Sequence, residues 1–202
     1  MNTPILVTDD RPGLTFAQRW NTYLSLALAA VVLFLGVSMR DSALNATVTL
    51  EDLEAGVRAQ VPLDWLVDRG SSEYVFRVAD PNALPFKTLL QVSILPVGPD
   101  ATPANVLHQI EIDRPLRLPG YQVIARQNVT LRDGSPAIRL TYAYFESERN
   151  PALESLPLVV EGVDLVALRG AQAVIVTYRE ERTRFEDNLY RFENMVNTLE
   201  IF

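Results

Sequence analysis

The sequence predicts an α+β domain that follows a single N-terminal transmembrane helix. Three observations support this fold class: a run of 20 uncharged residues between Arg19 and Arg40, a series of short segments in which apolar and polar residues alternate, and two amphipathic segments that interrupt this series. Alternation of period two is typical of half-buried strands. We therefore expect a mostly antiparallel sheet of about six or seven strands, covered by helices.

The uncharged run, residues 20–39, has the length of a transmembrane helix. At 1.5 Å per residue it spans about 30 Å, which is the thickness of the hydrocarbon core of a bilayer. Trp20 and Tyr23 lie at its N-terminal edge, where amphipathic rings favour the headgroup level. Arg19 and Arg40 bracket the run as snorkelling ends. We interpret these four residues as the membrane anchor.

A cleaved signal peptide is the first alternative, because Gly36-Val37-Ser38 provides a small residue on each side of a possible cleavage site. The segment before the apolar run is long for a signal peptide and carries Asp9 and Asp10, so we favour a retained anchor. A buried core helix is the second alternative. The run has no polar face to present to water, which disfavours it.

Flanking charge predicts the orientation of this helix. Arg11 and Arg19 precede the apolar run and Arg40 follows it, and basic residues concentrate on the cytoplasmic side. The N-terminal tail, residues 1–19, is therefore predicted to lie on the cytoplasmic side of the cell membrane. The large domain is predicted to lie on the extracytoplasmic side.

A stripe of mostly small residues runs along the same helix. Ser25, Ala29, Val32 and Gly36 fall at spacings that place them on one face. Small side chains allow a second transmembrane helix to approach closely, so Ser25, Ala29 and Gly36 are candidate helix contacts. The alternative is that Ala and Gly are simply common in such helices.

The rest of the chain divides into a polar connector, residues 40–50, and one domain, residues 51–202. The chain has 25 acidic and 18 basic residues, and its net charge of −7 belongs entirely to this domain. Nucleic acids and anionic headgroups are bound by clustered Lys and Arg. The acidic balance therefore argues against a nucleic-acid partner.

The predicted strands follow one another through the domain. In residues 135–145, Ile138, Leu140, Tyr142 and Tyr144 alternate with polar or small residues such as Arg139, which predicts a half-buried antiparallel strand. Similar segments occupy residues 56–61, 73–79, 88–97, 121–131, 156–169 and 171–179. Gly170 between the last two predicts a tight hairpin.

Two helices are predicted among these strands. The first begins with Thr102 as N-cap and Pro103 in the first turn. It then places Val106, Leu107 and Ile110 on one face. The second begins with a capping box formed by Thr183 and Glu186. Its apolar stripe, predicted to pack on the sheet, comprises Phe185, Leu189, Phe192, Val196 and Leu199.

The sequence carries no recognised catalytic motif. It has no cysteine and a single histidine, His108, which excludes thiolate chemistry and an imidazole cluster. The acidic groups Asp9-Asp10, Glu146-Ser147-Glu148 and Glu180-Glu181 are more typical of solvated turns than of a cation site. We predict no catalytic residue, no metal site, no cofactor and no enzyme activity.

A family resemblance rests on two short motifs and on the order of elements. The motifs are Pro62-Leu63-Asp64-Trp65 after the first strand and Gly134-x-x-Ala137 before the long strand. With the strands, the helix, the hairpin and the terminal helix, they make residues of about 47–202 resemble the PsbP-like family. That family includes an extrinsic subunit of the oxygen-evolving photosystem, a eukaryotic Ran-binding relative and many bacterial proteins. The resemblance implies a non-catalytic α/β sandwich that stabilises or tunes a larger assembly.

The motif residues also have physical roles of their own. Pro62 is expected to end strand pairing because it has no N–H, and Trp65 is expected to plug one end of the core. Gly134 follows Asp133 and is expected to form a turn.

These observations predict a single-pass membrane protein that acts as an accessory or assembly subunit of a larger membrane complex. Its partners would be the lipid bilayer and other subunits, contacted by the helix and the sheet domain. By analogy the complex would belong to a respiratory or photosynthetic electron-transport chain. The alternative is a surface-anchored binding module for a small apolar ligand or an extracytoplasmic protein, which a deep apolar pocket near Trp65 or Tyr142 would favour. A hydrolase using His108 and the acidic pairs is the least favoured alternative.

Overall fold

The structure, a computed structural model, describes residues 15–69, 71–146 and 157–202. The chain divides into two compact units, Met1–Ala46 and Thr47–Phe202. The fold is α+β, as the sequence predicts: an N-terminal apolar helix and an antiparallel sheet with further helices.

The first unit contains helix α1, Phe16–Leu44. Its stretch Phe16–Arg40 is long and apolar enough to cross a membrane. The helix extends past the predicted run at both ends, and the predicted connector 40–50 is wrong in extent. Residues 40–44 contain neither Gly nor Pro and continue the helix, whereas residues 47–50 alternate and begin a strand.

The second unit contains two helices and a series of strands. The strands are β1 (Thr47–Asp52), β2 (Val57–Pro62), β3 (Leu66–Asp68), β4 (Phe76–Ala79), β5 (Leu89–Pro96), β6 (Gln122–Thr130), β7 (Pro136–Glu146), β8 (Leu158–Arg169), β9 (Gln172–Glu181) and β10 (Glu200–Ile201). Helix α2 is Pro103–Arg117 and helix α3 is Phe185–Asn197.

Within the described ranges these strands form two sheets rather than one. The larger sheet has seven antiparallel strands in the order β3-β4-β5-β9-β8-β7-β6, and the smaller has the order β1-β2-β10. The prediction that residues 56–61 belong to the main sheet is wrong, because β2 lies in the smaller sheet. Alternation marks a strand and its buried face but does not specify its neighbour.

Both faces of the seven-stranded sheet are covered. One face packs against α3 and the smaller sheet, with Phe76, Val92 and Tyr178 in its core. The other face packs against α2, with Leu140, Tyr142 and Val166 in its core. Since β8 and β9 lie in the middle of the sheet and are apolar on both faces, they are buried along most of their length.

Helix α2 begins as predicted. The Thr102 hydroxyl accepts a hydrogen bond from the Asn105 N–H at 3.2 Å, and Pro103 occupies the first turn. Val106 and Leu107 are buried against the sheet, which confirms the predicted apolar face.

Helix α3 begins differently from the prediction. Arg184 is the N-cap residue and makes no side-chain capping hydrogen bond, so Thr183 lies one residue before the cap position. The Thr183 hydroxyl instead donates to the Glu181 carboxylate at 2.9 Å. The predicted capping box is therefore wrong. The apolar stripe is confirmed, with Phe185 and Phe192 buried, and Met195 is a further core residue that the sequence analysis did not include.

Trp65, Pro62 and the two turn glycines have the roles predicted for them in the core, at a strand end and in the turns. Trp65 belongs to the core and is only 7% exposed, with the Arg191 guanidinium carbon 5.4 Å from its ring centroid. β2 ends at Pro62. Gly134 and Gly170 have φ values of 85° and 56° in the turns that join β6 to β7 and β8 to β9. In such turns glycine avoids the steric cost of positive φ.

Replacing Gly162 in β8 should destabilise the fold. A Cβ atom at Gly162 would lie 2.5 Å from Cζ of the fully buried Tyr142 ring, which has no room to move. We expect Gly162→Ala to lower the free energy of unfolding by about 1–3 kcal/mol, measured by denaturant titration of the full chain in detergent. Gly98→Ala is the matched control, because a Cβ there meets no atom within 4 Å. Equal stability of the two variants would contradict this packing.

Candidate interaction site

The α2 side of the sheet holds a buried polar network, here called the Asp164 network. Its members are Arg114, Tyr142, Asp164, Thr177 and Arg179. Strand register brings them together, because Asp164 is paired with Leu140 on one side and with Thr177 on the other, while Gly162 lies between Tyr142 and Arg179. Arg114 reaches them from the last turn of α2.

Asp164 is the centre of this network and is fully buried. Nη2 of Arg114 donates to Oδ1 of Asp164 at 2.9 Å and lies 2.7 Å from Oδ2. The Thr177 hydroxyl also donates to Oδ1, at 2.6 Å. Oδ2 makes no well-directed hydrogen bond to any residue that the structure describes. The negative charge of Asp164 is therefore neutralised mainly by Arg114.

Tyr142 links the two arginines. Its phenolic oxygen accepts hydrogen bonds from Nη1 of Arg114 at 2.6 Å and from Nε of Arg179 at 3.3 Å. Burial raises the pKa of Tyr142 above its usual range and that of Tyr144 to about 12. Both phenols are therefore neutral at physiological pH and serve as hydrogen-bonding groups, not as bases.

A second buried carboxylate, Glu180, lies at the end of β9. Its Oε1 is 3.0 Å from Nη2 of Arg184, and its Oε2 accepts hydrogen bonds from Asn188, at 3.2 Å, and from the Thr88 hydroxyl. Arg184 also donates to the Phe86 carbonyl at 3.1 Å. These contacts tie β9 to the first turn of α3 and to the segment before β5. The prediction of a solvated turn is wrong for Glu180.

An open cleft of about 690 Å³ lies where the smaller sheet, the end of α3 and the turn between β6 and β7 meet. Three arginines line it. Arg58 is paired with Glu200, and Nη1 of Arg169 lies 3.9 Å from Oδ2 of Asp133, whereas Arg132 is exposed and has no ion pair among the residues described. Its remaining lining is Thr49, Ala59, Gln60, Leu131, Val196, Asn197, Thr198, Leu199 and Ile201. Neither Trp65 nor Tyr142 lines the cleft, and its lining mixes charged, polar and apolar side chains.

The predicted anchor residues lie on α1. Arg19, Trp20, Tyr23 and Arg40 are exposed along this helix, as are the large apolar side chains between them. Ser25, Ala29 and Gly36 are also exposed, and a Cβ atom at Gly36 would meet no atom within 4 Å. These side chains are therefore free to contact lipid or another helix, and their assignment as anchor and helix contacts stays a prediction.

The other residues considered for chemistry are dispersed. His108 is exposed on α2, and Glu146 is exposed at the end of β7. Asp9, Asp10, Ser147 and Glu148 lie outside the described residues. Within the described ranges, no group of three or more His, Asp or Glu side chains lies close enough together to hold a metal ion.

Comparison with known proteins supports the resemblance at the level of the fold. No family model and no curated protein matches the chain. Among solved structures, the chain is similar to cyanobacterial PsbP (CyanoP) from Synechocystis, with 13% identity, 78% of this chain and 93% of that chain covered, and a TM-score of 0.58. It is similar to LpqN, involved in cell envelope biogenesis of Mycobacterium tuberculosis, with 18% identity, coverage of 77% and 90%, and a TM-score of 0.53.

The Ran-binding protein Mog1p of Saccharomyces cerevisiae matches more weakly, with 10% identity, coverage of 77% and 95%, and a TM-score of 0.49. At such identities the similarity establishes the fold alone. The fold is that of PsbP-like proteins, and the roles of individual residues must be argued from this chain.

The buried carboxylates were not identified from the sequence, although a signal for one of them is present. Asp164 interrupts the apolar segment Val163 to Leu168, and a charge within a fully apolar strand requires a buried partner. Arg114, which pairs with Asp164, is 50 residues away in the sequence. The spacing of apolar residues in its helix does not indicate which carboxylate it contacts.

A single variant and a double variant test the Asp164 network. Arg114→Met leaves the carboxylate of Asp164 buried without its cation and should lower the free energy of unfolding by about 3–5 kcal/mol. Arg114→Met/Asp164→Leu removes both charges and should recover most of that loss. The comparison is made by denaturant titration of the full chain. A double variant as unstable as the single variant would contradict the dominance of this ion pair.

Proposed function

We propose that this protein is a non-catalytic, membrane-anchored accessory or assembly subunit of a larger membrane complex. The observation that carries the proposal is the exposed apolar helix α1 joined to a compact α+β domain. Large apolar side chains between Leu24 and Met39 are more than half exposed in the folded chain, and only a bilayer or other apolar helices would remove them from water.

The charges of the domain support a non-catalytic role. Asp164 and Glu180 are fully buried, and their principal partners, Arg114 and Arg184, belong to the same domain. A general acid or base must reach a substrate. These carboxylates instead hold helices and strands together, so their roles are structural.

The location follows from the anchor and from the fold. Two arginines before the apolar run and one after it favour an extracytoplasmic domain. LpqN shares the fold and is described as involved in cell envelope biogenesis, which agrees with a place for this domain in the envelope. By analogy with the photosystem protein PsbP, the complex would belong to an electron-transport chain.

The small-residue stripe of α1 provides the first test. Ala29→Leu/Gly36→Leu fills the face on which a neighbouring helix would approach, and it should release the protein from its complex. Ala27→Leu/Ala30→Leu is the matched control, because it adds the same kind of bulk to the opposite face. Native electrophoresis after mild detergent extraction, with mass spectrometry of co-purifying proteins, measures the outcome.

Three results of this experiment distinguish the alternatives. Loss of the large complex in the stripe variant alone supports the proposal. Migration of the unaltered protein as a lone 22.6 kDa monomer in every mild detergent would contradict it. A measured intact mass that matches a chain beginning after Ser38 would show that α1 is part of a cleaved signal peptide. The anchor on which the proposal depends would then be absent from the mature protein.

The cleft beside the smaller sheet favours a second candidate function, a surface-anchored binding module. Because Arg132 is exposed there without an ion pair in the described part of the chain, an acidic protein segment is the occupant that the cleft suits best. It suits an apolar ligand less well, since three arginines interrupt its apolar lining and the cleft is open to solvent.

Charge reversal tests this second function. Arg132→Glu should reduce the recovery of acidic proteins on the immobilised full chain at low salt. Arg117→Glu should not, because Arg117 is also exposed but lies outside the cleft, 3.7 Å from the exposed carboxylate of Glu73. Quantitative mass spectrometry measures the recovery. Equal recovery with both variants would exclude the cleft as a docking site for acidic segments.

A further inference from the structure

The chain leaves very little length between the membrane helix and the domain. Helix α1 continues for four residues beyond Arg40, which adds about 6 Å, and β1 begins at Thr47. The three residue steps from Leu44 to Thr47 span at most about 11 Å. The headgroup region on each side of a bilayer is itself several ångströms thick. The start of β1 is therefore held close to the bilayer surface if α1 spans the membrane.

Strand register identifies the other parts of the domain that lie at the same end as the start of β1. Thr47 is paired with Pro62, the last residue of β2, so the segment from Leu63 to β3 begins beside the start of β1. The first residue of β3, Leu66, is paired with Ala79, the last residue of β4. The start of β3 and the end of β4 therefore lie at the same end of the domain as the start of β1. We call this end of the domain the anchor end.

The antiparallel register brings further loops to the anchor end. The loop between β4 and β5 begins and ends at the anchor end, because the Asp80 N–H donates to the Thr88 carbonyl at 3.0 Å. Leu89 is paired with Arg179 near the end of β9. The turn between α2 and β6 also lies at this end, because the Phe145 N–H near the end of β7 donates to the Pro119 carbonyl at 2.8 Å.

Large apolar side chains are exposed in these loops and at the ends of the elements beside them. Leu84 is 73% exposed and Leu116 is 82% exposed. The others at the anchor end are Leu63, Leu66 and Phe145. They come from separate parts of the sequence, and the fold brings them to one end. Leu63 and Leu84 lie in loops and Leu116 lies in the last turn of α2, so several exposed apolar side chains share one end, where a bilayer would remove them from water.

We propose that the anchor end rests on the bilayer, with Leu63, Leu84 and Leu116 inserted into its interfacial region. This inference depends on the proposed membrane anchor. The bilayer is favoured over a protein as the occupant because the short connection holds this end near the surface in every copy, whether or not a partner is bound. Apolar side chains on loop tips and amphipathic segments partition into the headgroup and acyl boundary.

The absence of cysteine from the sequence makes a site-specific test straightforward. Single variants Leu84→Cys, Leu53→Cys and Leu28→Cys of the full chain are labelled with bimane and reconstituted in phosphatidylcholine nanodiscs, with and without lipids brominated on their acyl chains. Leu53 is the matched control, because it is 77% exposed and lies in the turn at the far end of the β1 and β2 pair. Leu28 lies within α1 and reports the anchor itself.

The proposal predicts that brominated lipid quenches the labels at positions 84 and 28 and leaves the label at position 53 unchanged. Quenching at position 28 alone would overturn it while leaving the membrane anchor intact, and would show that this end is open to water or covered by protein. Absence of quenching at position 28 would refute the anchor as well. Equal quenching at positions 84 and 53 would also overturn the proposal, because it would indicate adsorption without a preferred face.

A second pair of variants tests whether the apolar side chains, and not the bimane label, hold the anchor end at the membrane. Leu84→Ser/Leu116→Ser should reduce the lipid quenching of a bimane label at Leu63→Cys, because fewer apolar side chains hold this end at the surface. Leu53→Ser should have no such effect. All of the exchanged side chains are exposed, so loss of folding is not expected, and circular dichroism verifies it.

Discussion

Asp164 lies in the middle of the central strand pair with no exposure to water, and the packing of one whole face of the sheet depends on it. A carboxylate in such a place requires a cation, which Arg114 brings from the last turn of α2. Helix α2 buries few apolar side chains, chiefly Val106 and Leu107, so apolar packing alone defines its position only loosely. The directed contact between Arg114 and Asp164 fixes where the end of α2 lies on the sheet. Arg114 also positions the Tyr142 ring through a hydrogen bond to its hydroxyl. The ring fits there because Gly162 has no side chain.

Glu180 performs a comparable task on the other side of the molecule. Its oxygens join the end of β9 to Thr88 before β5 and to Arg184 and Asn188 around the start of α3. The negative charge also lies near the N-terminus of α3, where the helix dipole favours it. The two buried carboxylates thus determine how both layers of helices meet the sheet. Because each is enclosed by partners from its own domain, the features left to meet other molecules are the exposed surface, the polar cleft and the apolar helix α1.

The predictions from sequence succeeded where a local pattern carries the physical cause. The N-cap at Thr102, the hairpin at Gly170 and the apolar stripe of α3 follow from short-range spacing, and all are present. The capping box failed because the helix begins one residue later than the motif predicts, with Arg184 at the N-cap position. The division into two sheets and the pair of Arg114 with Asp164 depend on contacts between distant residues. A single sequence shows that Asp164 needs a partner, but the partner is set by the fold.

The proposed membrane anchor, joined to the domain by a short connection, also bears on how strong the contacts of this domain need to be. A domain held near a bilayer meets membrane-bound partners at a high effective concentration, and orientation is already partly fixed. Less of the binding free energy is then spent on lost translational and rotational freedom. Small surfaces suffice under these conditions, such as the exposed leucines at one end of the domain and the cleft lined by Arg132. A fold whose buried charges are paired internally can therefore act as an accessory protein without a deep pocket or a large apolar interface on the domain itself.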